Sequence, residues 1–160
     1  MAAALSEAHQ ECAAEQSPAR RVPRYRSVLI VEDEPPFRRA LARNLVHRGV
    51  EVREVGTAEE AIAATAQAHP ELILLDINLP DRSGWDVLRE LRRRGVLVPA
   101  VVLSATQVPP QRLAEFRPLA CLPKPFPLEA LLRLVIGSDE EGLAAETEKL
   151  ARSEEGDHDE

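Results

Sequence analysis

Residues 28–35 read Val-Leu-Ile-Val-Glu-Asp-Glu-Pro, four apolar residues followed at once by three acids and a proline. Short, continuous apolar runs of this kind predict strands that are buried on both faces of a sheet. Residues 72–75 and 100–103 repeat the pattern, and residues 50–55 alternate apolar with charged side chains, as a strand near an edge would. A fifth run, at residues 120–122, is shorter. The chain is therefore expected to contain five strands.

Helical patterns follow the strands, at residues 36–48, 57–68, 84–94, 109–117 and 128–136. The first pattern predicts one apolar stripe made of Phe37, Leu41, Leu45 and Val46. The second begins with Thr57 and carries Glu60 three residues on, the spacing of a capping box. Strands that alternate with helices predict right-handed βαβ units and one parallel sheet with helices on both faces.

Length and composition indicate one domain. A chain of 160 residues has room for a single ordinary domain and little more. Hydrophobic residues make up 44% of the chain and aromatic residues only 3%. We therefore expect a core built from Leu, Val, Ile and Ala.

Charge is distributed unevenly along the chain. Residues 138–160 carry ten acids against Lys149 and Arg152, and residues 1–25 balance, so residues 26–137 are nearly neutral despite a net charge of −7. We expect a flexible head at residues 1–25, a folded domain at 26–137 and an acidic, disordered tail at 138–160. This distribution does not favour nucleic acid as a partner, because an acidic tail repels phosphate.

Cysteine usage and hydropathy indicate the setting of the chain. Cys12 and Cys121 form neither a disulfide framework nor a zinc pattern, which favours a reduced, cytoplasmic environment. No stretch approaches the roughly 20 apolar residues that span a bilayer. The N-terminus also lacks the features of a secretory signal. No membrane association is expected.

Polar side chains follow four of the five strands directly. Glu32 and Asp33 follow the first strand, Asp76 the third, Ser104 the fourth and Lys124 the fifth. Ligands of open parallel sheets bind beyond the carboxyl ends of the strands, so these side chains should converge there. Clustered carboxylates repel one another unless a cation intervenes, and their oxygens suit Mg²⁺. The pattern predicts phosphoryl transfer to the Asp76 carboxylate, with positioning and charge neutralisation as the main contributions.

Each of these residues also has a plainer interpretation when it is taken alone. Asp76 could cap a loop, and the acids at 32–34 could form a solvated turn that leads into a helix N-terminus, where acids are favoured. Lys124 could be an exposed lysine in a proline-rich turn. The arrival of acids, a hydroxyl and an ammonium group at one sheet edge favours a functional site over these alternatives.

Four motifs in register resemble the receiver domain of two-component response regulators. They are residues 28–35, residues 74–84 (Leu-Leu-Asp-Ile-Asn-Leu-Pro-Asp-Arg-Ser-Gly), residues 103–105 (Leu-Ser-Ala) and residues 124–126 (Lys-Pro-Phe). The resemblance covers about residues 26–137. It implies a flavodoxin-like, doubly wound (βα)5 fold with a five-stranded parallel sheet.

The resemblance implies a role for each matching site residue. Asp76 would be the phosphoacceptor and, with Asp33, a direct ligand of Mg²⁺. Glu32 would act through metal-bound water, and Asn78 would offer its backbone carbonyl. Ser104 would be the switch hydroxyl that closes onto the phosphoryl group, and Lys124 its cationic partner.

Partners and output also follow from the resemblance. The phosphodonor would be a histidine kinase or a histidine phosphotransfer protein. We expect a single-domain, non-enzymatic regulator that assists its own phosphorylation and dephosphorylation. It would be a monomer or weak dimer that signals by phosphorylation-dependent binding of a downstream protein or by onward phosphotransfer.

Two departures from the family pattern concern the output. The family usually carries an aromatic residue three positions before the lysine, and here that position is Cys121. Prolines between residues 104 and 124 also predict a short or irregular fourth helix. Both departures motivate a second hypothesis, a docking module that works without phosphorylation.

A third hypothesis is a hydrolase that forms an aspartyl-phosphate intermediate. Haloacid-dehalogenase-like phosphatases also place a nucleophilic aspartate after an apolar strand. They use a second aspartate two residues further on, where this chain has Asn78. The missing acid/base group argues against turnover.

Overall fold

A computed structural model of the chain describes residues 22–138, in which five strands alternate with five helices. The strands are β1 (Ser27–Val31), β2 (Glu51–Val55), β3 (Leu72–Asp76), β4 (Ala100–Ser104) and β5 (Ala120–Pro123). The helices are α1 (Pro35–His47), α2 (Ala58–Gln67), α3 (Gly84–Arg93), α4 (Pro110–Phe116) and α5 (Leu128–Ile136). Apart from residues 22–25 and 138, the predicted head and acidic tail lie outside the described residues.

The five strands form one parallel sheet in the order β2-β1-β3-β4-β5. This order confirms the predicted doubly wound α/β fold. The register aligns the carboxyl ends of the strands: Val31 pairs with Leu75, Asp76 with Leu103, and Ser104 with Pro123. The residues that follow these ends therefore meet at one edge of the sheet.

Alternate residues of the central strands supply two separate cores. Val28 and Ile30 pack toward the side of α1 and α5, whereas Leu29 and Val31 pack toward α2 and α3. All four side chains are buried. Continuous apolar runs are needed because both faces of the sheet are covered.

The predicted apolar stripe of α1 is wrong at one position. Leu41 and Leu45 are buried together with Ala42, but Val46 is 57% exposed. Residues 41, 42 and 45 repeat at helical spacing on one face, and position 46 falls past the edge of that face. Phe37 packs partly buried against the same core.

The fourth helix is short, as the prolines predicted. α4 holds seven residues and is followed by Arg117, which adopts a left-handed conformation with φ of 45°. Among residues 22–138, none of the helices has the length and apolar character to cross a membrane.

Candidate functional site

Three strand ends bring a lysine between two carboxylates. Glu32 follows β1, Asp76 is the last residue of β3, and Lys124 follows β5. The Lys124 ammonium lies 2.7 Å from Glu32 Oε2 and 2.9 Å from Asp76 Oδ2. Both are charge-assisted hydrogen bonds, the stronger kind in proteins.

The two carboxylates are buried and the lysine is only partly exposed. Glu32 is 0% exposed and Asp76 4% exposed, and the Lys124 side chain is 20% exposed. Burial raises the pKa of Glu32 to about 7, although hydrogen bonds from Lys124 and from the Glu34 N–H oppose the rise. Burial pulls the pKa of Lys124 down, but hydrogen bonds to Glu32 and Asp76 outweigh it, so that the Lys124 pKa is raised. Lys124 therefore remains charged at neutral pH.

An aromatic ring completes the surroundings of the lysine. The Lys124 ammonium lies 5.0 Å from the centre of the Phe37 ring, within the range of a cation–π contact. Phe126 packs edge-on against Phe37, with ring centres 5.9 Å apart. The Lys124–Pro125 peptide bond is cis. The apolar pattern of α1 predicted Phe37 in the core and did not indicate its contact with the lysine.

Asp33 completes a group of three acids. Carboxylate oxygens of Glu32, Asp33 and Asp76 all lie within 4.8 Å of one another, and Asp33 is exposed to solvent. One ammonium group does not balance three carboxylates. Hard oxygen ligands at this spacing, with one side open to water, fit Mg²⁺, which retains several of its waters.

The loop after Asp76 is fixed at both of its ends. The Asn78 N–H donates to Asp76 Oδ1 over 2.9 Å, and the Gly84 N–H donates to the Ile77 carbonyl over 2.9 Å. A Cβ atom at Gly84 would lie 2.5 Å from the Asp76 carbonyl oxygen, so only glycine allows this approach. Asn78 thus contacts the acidic group through its N–H, and the role of its carbonyl stays a prediction.

The tip of this loop is tied to another helix. Asp81 accepts hydrogen bonds from the Ala58 and Glu59 N–H groups at the start of α2, over 2.9 and 3.0 Å. The bond from Ala58 is the main cause of a lowered pKa of Asp81. The sequence did not predict this contact, because nothing in the pattern around residue 81 indicates a contact with residue 58.

Ser104 is bonded to the backbone of Lys124, but its hydroxyl is engaged elsewhere. The Ser104 carbonyl accepts a hydrogen bond from the Lys124 N–H over 2.7 Å. The hydroxyl donates to the Thr106 carbonyl over 2.7 Å and accepts from the Thr106 N–H over 3.2 Å. The structure therefore brings Glu32, Asp33, Asp76 and Lys124 together and leaves the Ser104 hydroxyl in a local turn.

Cys121 packs where α3 and α4 meet the sheet. It contacts a cluster that contains Trp85, Val102 and Phe116, and the Trp85 and Phe116 rings stack with centres 5.3 Å apart. Burial raises the pKa of the Cys121 thiol. The aromatic pair of this region thus belongs to the two helices, and β5 contributes only a small side chain.

Sequence comparison matches residues 28–136 to the response regulator receiver domain family. The KDP operon transcriptional regulatory protein KdpE of Escherichia coli is 38% identical over 115 residues, which cover 69% of this chain and 51% of that protein. The probable transcriptional regulatory protein TcrX of Mycobacterium tuberculosis is 34% identical over 111 residues, which cover 68% of this chain and 47% of that protein. KdpE of M. tuberculosis is 45% identical over 78 residues, or 49% of this chain and 34% of that protein. The chain thus spans about a third to a half of the length of these curated relatives.

Solved structures show the same fold. The chemotaxis protein CheY4 of Vibrio cholerae superimposes with a TM-score of 0.63 and 27% identity, over 68% of this chain and 93% of that one. A CheY-like receiver domain protein of Methanospirillum hungatei gives a TM-score of 0.64 at 22% identity, over 78% of this chain and 98% of that one.

Proposed function

This chain belongs to the response regulator receiver domain family, and from that membership we propose that Asp76 accepts a phosphoryl group from a phosphohistidine. The donor would be a histidine kinase or a histidine phosphotransfer protein. The contact between the Lys124 ammonium and Asp76 Oδ2, at 2.9 Å, carries the proposal. It places a cation against the carboxylate that would receive the negative phosphoryl group.

The transfer forms one bond and breaks one. A carboxylate oxygen of Asp76 attacks phosphorus, the phosphorus–nitrogen bond of the phosphohistidine breaks, and the leaving imidazole nitrogen takes a proton from solvent. Lys124 keeps a positive charge beside the developing acyl phosphate. Because Asp76 is held by the Asn78 N–H and by Lys124, the acceptor is oriented before the donor arrives.

Mg²⁺ fits the remaining groups of the site. Asp33, Asp76 and the Asn78 backbone carbonyl would bind it directly, and Glu32 would contact it through water. When bound, the ion would supply the positive charge that one lysine cannot, and so favour transfer of a phosphoryl group. The cluster of three carboxylates within 4.8 Å supports this assignment.

Phosphorylation would then compete for groups that already have partners. Lys124 would contact a phosphoryl oxygen, and its hydrogen bond to the buried Glu32 would weaken. The Ser104 hydroxyl would leave Thr106 and donate to the phosphoryl group. Its bonds to Thr106 are local, so little structure has to be broken for this change.

We propose protein binding or onward phosphotransfer as the output of this domain. The matched relatives are named as transcriptional regulators, but this chain spans at most about half of their length. The near-neutral charge of residues 26–137 supports a protein partner over nucleic acid.

Phosphorylation with acetyl phosphate and Mg²⁺ tests the proposal. We expect an acid-labile, base-labile adduct on wild-type protein and none on Asp76→Asn. Asp33→Asn should form the adduct much more slowly at the same Mg²⁺ concentration. An unmodified wild-type protein, or an adduct that persists in Asp76→Asn, would show that the proposal is wrong.

A docking module that works without phosphorylation is the second candidate. Cys121 in place of an aromatic residue and the seven-residue α4 favour it, because both lie in the region expected to report phosphorylation. In a pull-down with and without phosphodonor, equal partner capture by wild type and Asp76→Asn would select this alternative. Hydrolysis of a phosphate ester is not favoured, since Asn78 offers no acid/base group.

A further inference from the structure

Asp81 joins two elements that are far apart in the sequence. It lies in the loop between β3 and α3, and both of its carboxylate oxygens accept hydrogen bonds from the first N–H groups of α2. Such N–H groups have no partner within their own helix. A single loop carboxylate therefore satisfies two helix donors that lie 23 and 22 residues earlier in the chain.

The same helix end is already capped from its own sequence. Thr57 Oγ1 accepts a hydrogen bond from the Glu60 N–H over 3.1 Å, and the Thr57 carbonyl accepts from the Ala61 N–H. The Glu60 carboxylate in turn accepts from the Gly56 N–H over 3.0 Å. Asp81 thus adds to an ordinary cap, and its distinct effect is to attach the loop to α2.

This loop also carries the groups nearest the acidic site. Its first part is bonded to Asp76 Oδ1 through the Asn78 N–H, and its end returns to the Ile77 carbonyl through the Gly84 N–H. The tip is joined to α2 by two polar contacts, Asp81 and an exposed ion pair between Arg82 and Glu59 at 2.9 Å, and Leu79 packs against the apolar core on that side of the sheet. Exposed ion pairs contribute little, so Asp81 is the stronger of the two polar contacts with α2.

We propose that Asp81 is a positioning residue that couples occupancy of the acidic site to the N-terminus of α2. The inference rests on the proposed function, since it concerns Mg²⁺ held by Asp33, Asp76 and the Asn78 carbonyl. Coupling between two sites is reciprocal. Loss of Asp81 should therefore weaken Mg²⁺ binding, and Mg²⁺ binding should protect the amides that Asp81 accepts from.

Thr57→Ala is a matched control for Asp81→Ala. Each variant removes side-chain acceptors from the same end of α2, but only Asp81→Ala releases the loop. Mg²⁺ affinity would be measured by titration with the fluorescence of Trp85, the only tryptophan in the chain, and thermal unfolding would be compared in parallel. We expect Asp81→Ala to lose about fivefold or more in affinity, the lower range of measured site couplings, and Thr57→Ala to lose less than half of that. Equal losses in the two variants would overturn the proposal.

Hydrogen exchange in wild-type protein tests whether Mg²⁺ binding affects the N-terminus of α2, and this test needs no destabilised variant. Mg²⁺ should slow exchange of the Ala58 and Glu59 amides, and should leave them unchanged in Asp33→Asn. If wild type binds Mg²⁺ and these amides do not respond, Asp81 only caps α2 and the coupling is absent. If wild type binds no Mg²⁺, both the coupling and the metal site of the proposed function are wrong. The two failures are thus distinguishable.

Discussion

Lys124 lies between two buried carboxylates and against an aromatic ring. Glu32 and Asp76 are both buried and would repel each other without the ammonium group between them. The Phe37 ring limits the space on another side of that group. A compact ammonium fits this position, whereas a guanidinium spreads its donors over a wide plane.

We therefore expect Lys124→Arg to impair switching more than folding. The arginine keeps the charge that the buried carboxylates need, so the midpoint of thermal unfolding should change by only a few degrees. Its planar fork cannot move between Glu32 and a single phosphoryl oxygen. We therefore expect the fluorescence of Trp85, which follows Gly84 at the Asp76 carbonyl, to change on phosphorylation of wild type and not of this variant. Lys149→Arg, the substitution of the only other lysine, is the control. A normal fluorescence response in Lys124→Arg would contradict this account.

Cys121 should behave as a packed, unreactive thiol. Burial raises its pKa above the ordinary value of 9.0, and only the thiolate is nucleophilic. A raised pKa leaves the thiol protonated over a wider range, so alkylation of folded protein should be slow at pH 8 and should still accelerate above pH 9. The modified peptide is followed by mass spectrometry, because the chain contains a second cysteine, Cys12. Equal rates at Cys121 in folded and urea-unfolded protein would argue against burial as the cause.

At the scale of elements, the junction of β3 and α3 depends on close backbone contact. Gly84 is the first residue of α3, and its missing side chain lets the helix start directly against the Asp76 carbonyl. In the middle of a helix a glycine costs about 0.5–1 kcal/mol relative to alanine. At this first position, crowding by the Asp76 carbonyl decides which residue fits.

Gly84→Ala is accordingly expected to destabilise the domain, although the same change in most helices is stabilising. The new Cβ would lie 2.5 Å from the Asp76 carbonyl oxygen and 3.0 Å from the Ile77 Cα, so the backbone has to shift. Overpacking of this kind typically costs about 1–3 kcal/mol, measured here by urea unfolding. Gly95→Ala, where nothing lies within 4 Å of the new Cβ but φ is +72°, separates backbone strain from crowding. If Gly84→Ala matches wild type, the contact is not limiting.

Sequence patterns predicted the elements well and their mutual contacts poorly. Apolar runs located four strands and an alternating pattern located β2, and Thr57 predicted the start of α2, because these signals are local. The Asp81 cap and the Phe37–Lys124 contact join residues brought together only by the path of the folded chain. The hydrogen bond of the Ser104 hydroxyl to Thr106 was not predicted either, because serine follows many strands and its presence does not indicate the partner of its hydroxyl.

At the scale of the whole molecule, repulsion among the acids of the site destabilises the fold that brings them together. The parallel sheet gathers three carboxylates within 4.8 Å at one edge, and two of them are buried. Burial of the apolar cores on both faces of the sheet offsets the free-energy cost of clustering these acids. A cation bound at the edge should therefore stabilise the entire domain, because its elements share one sheet.

Mg²⁺ should raise the free energy of unfolding by mass action, by about 1.4 kcal/mol at a concentration ten times its dissociation constant. Asp33→Asn should abolish the increase. Without metal, that variant should be at least as stable as wild type, since it removes one of three mutually repelling charges. Glu34→Gln, a change at the adjacent exposed acid outside the cluster, should keep the full response. Urea unfolding at constant ionic strength, with NaCl replacing MgCl₂, measures the effect. An equal shift in wild type and Asp33→Asn would mean that Mg²⁺ acts by general screening and not at this site.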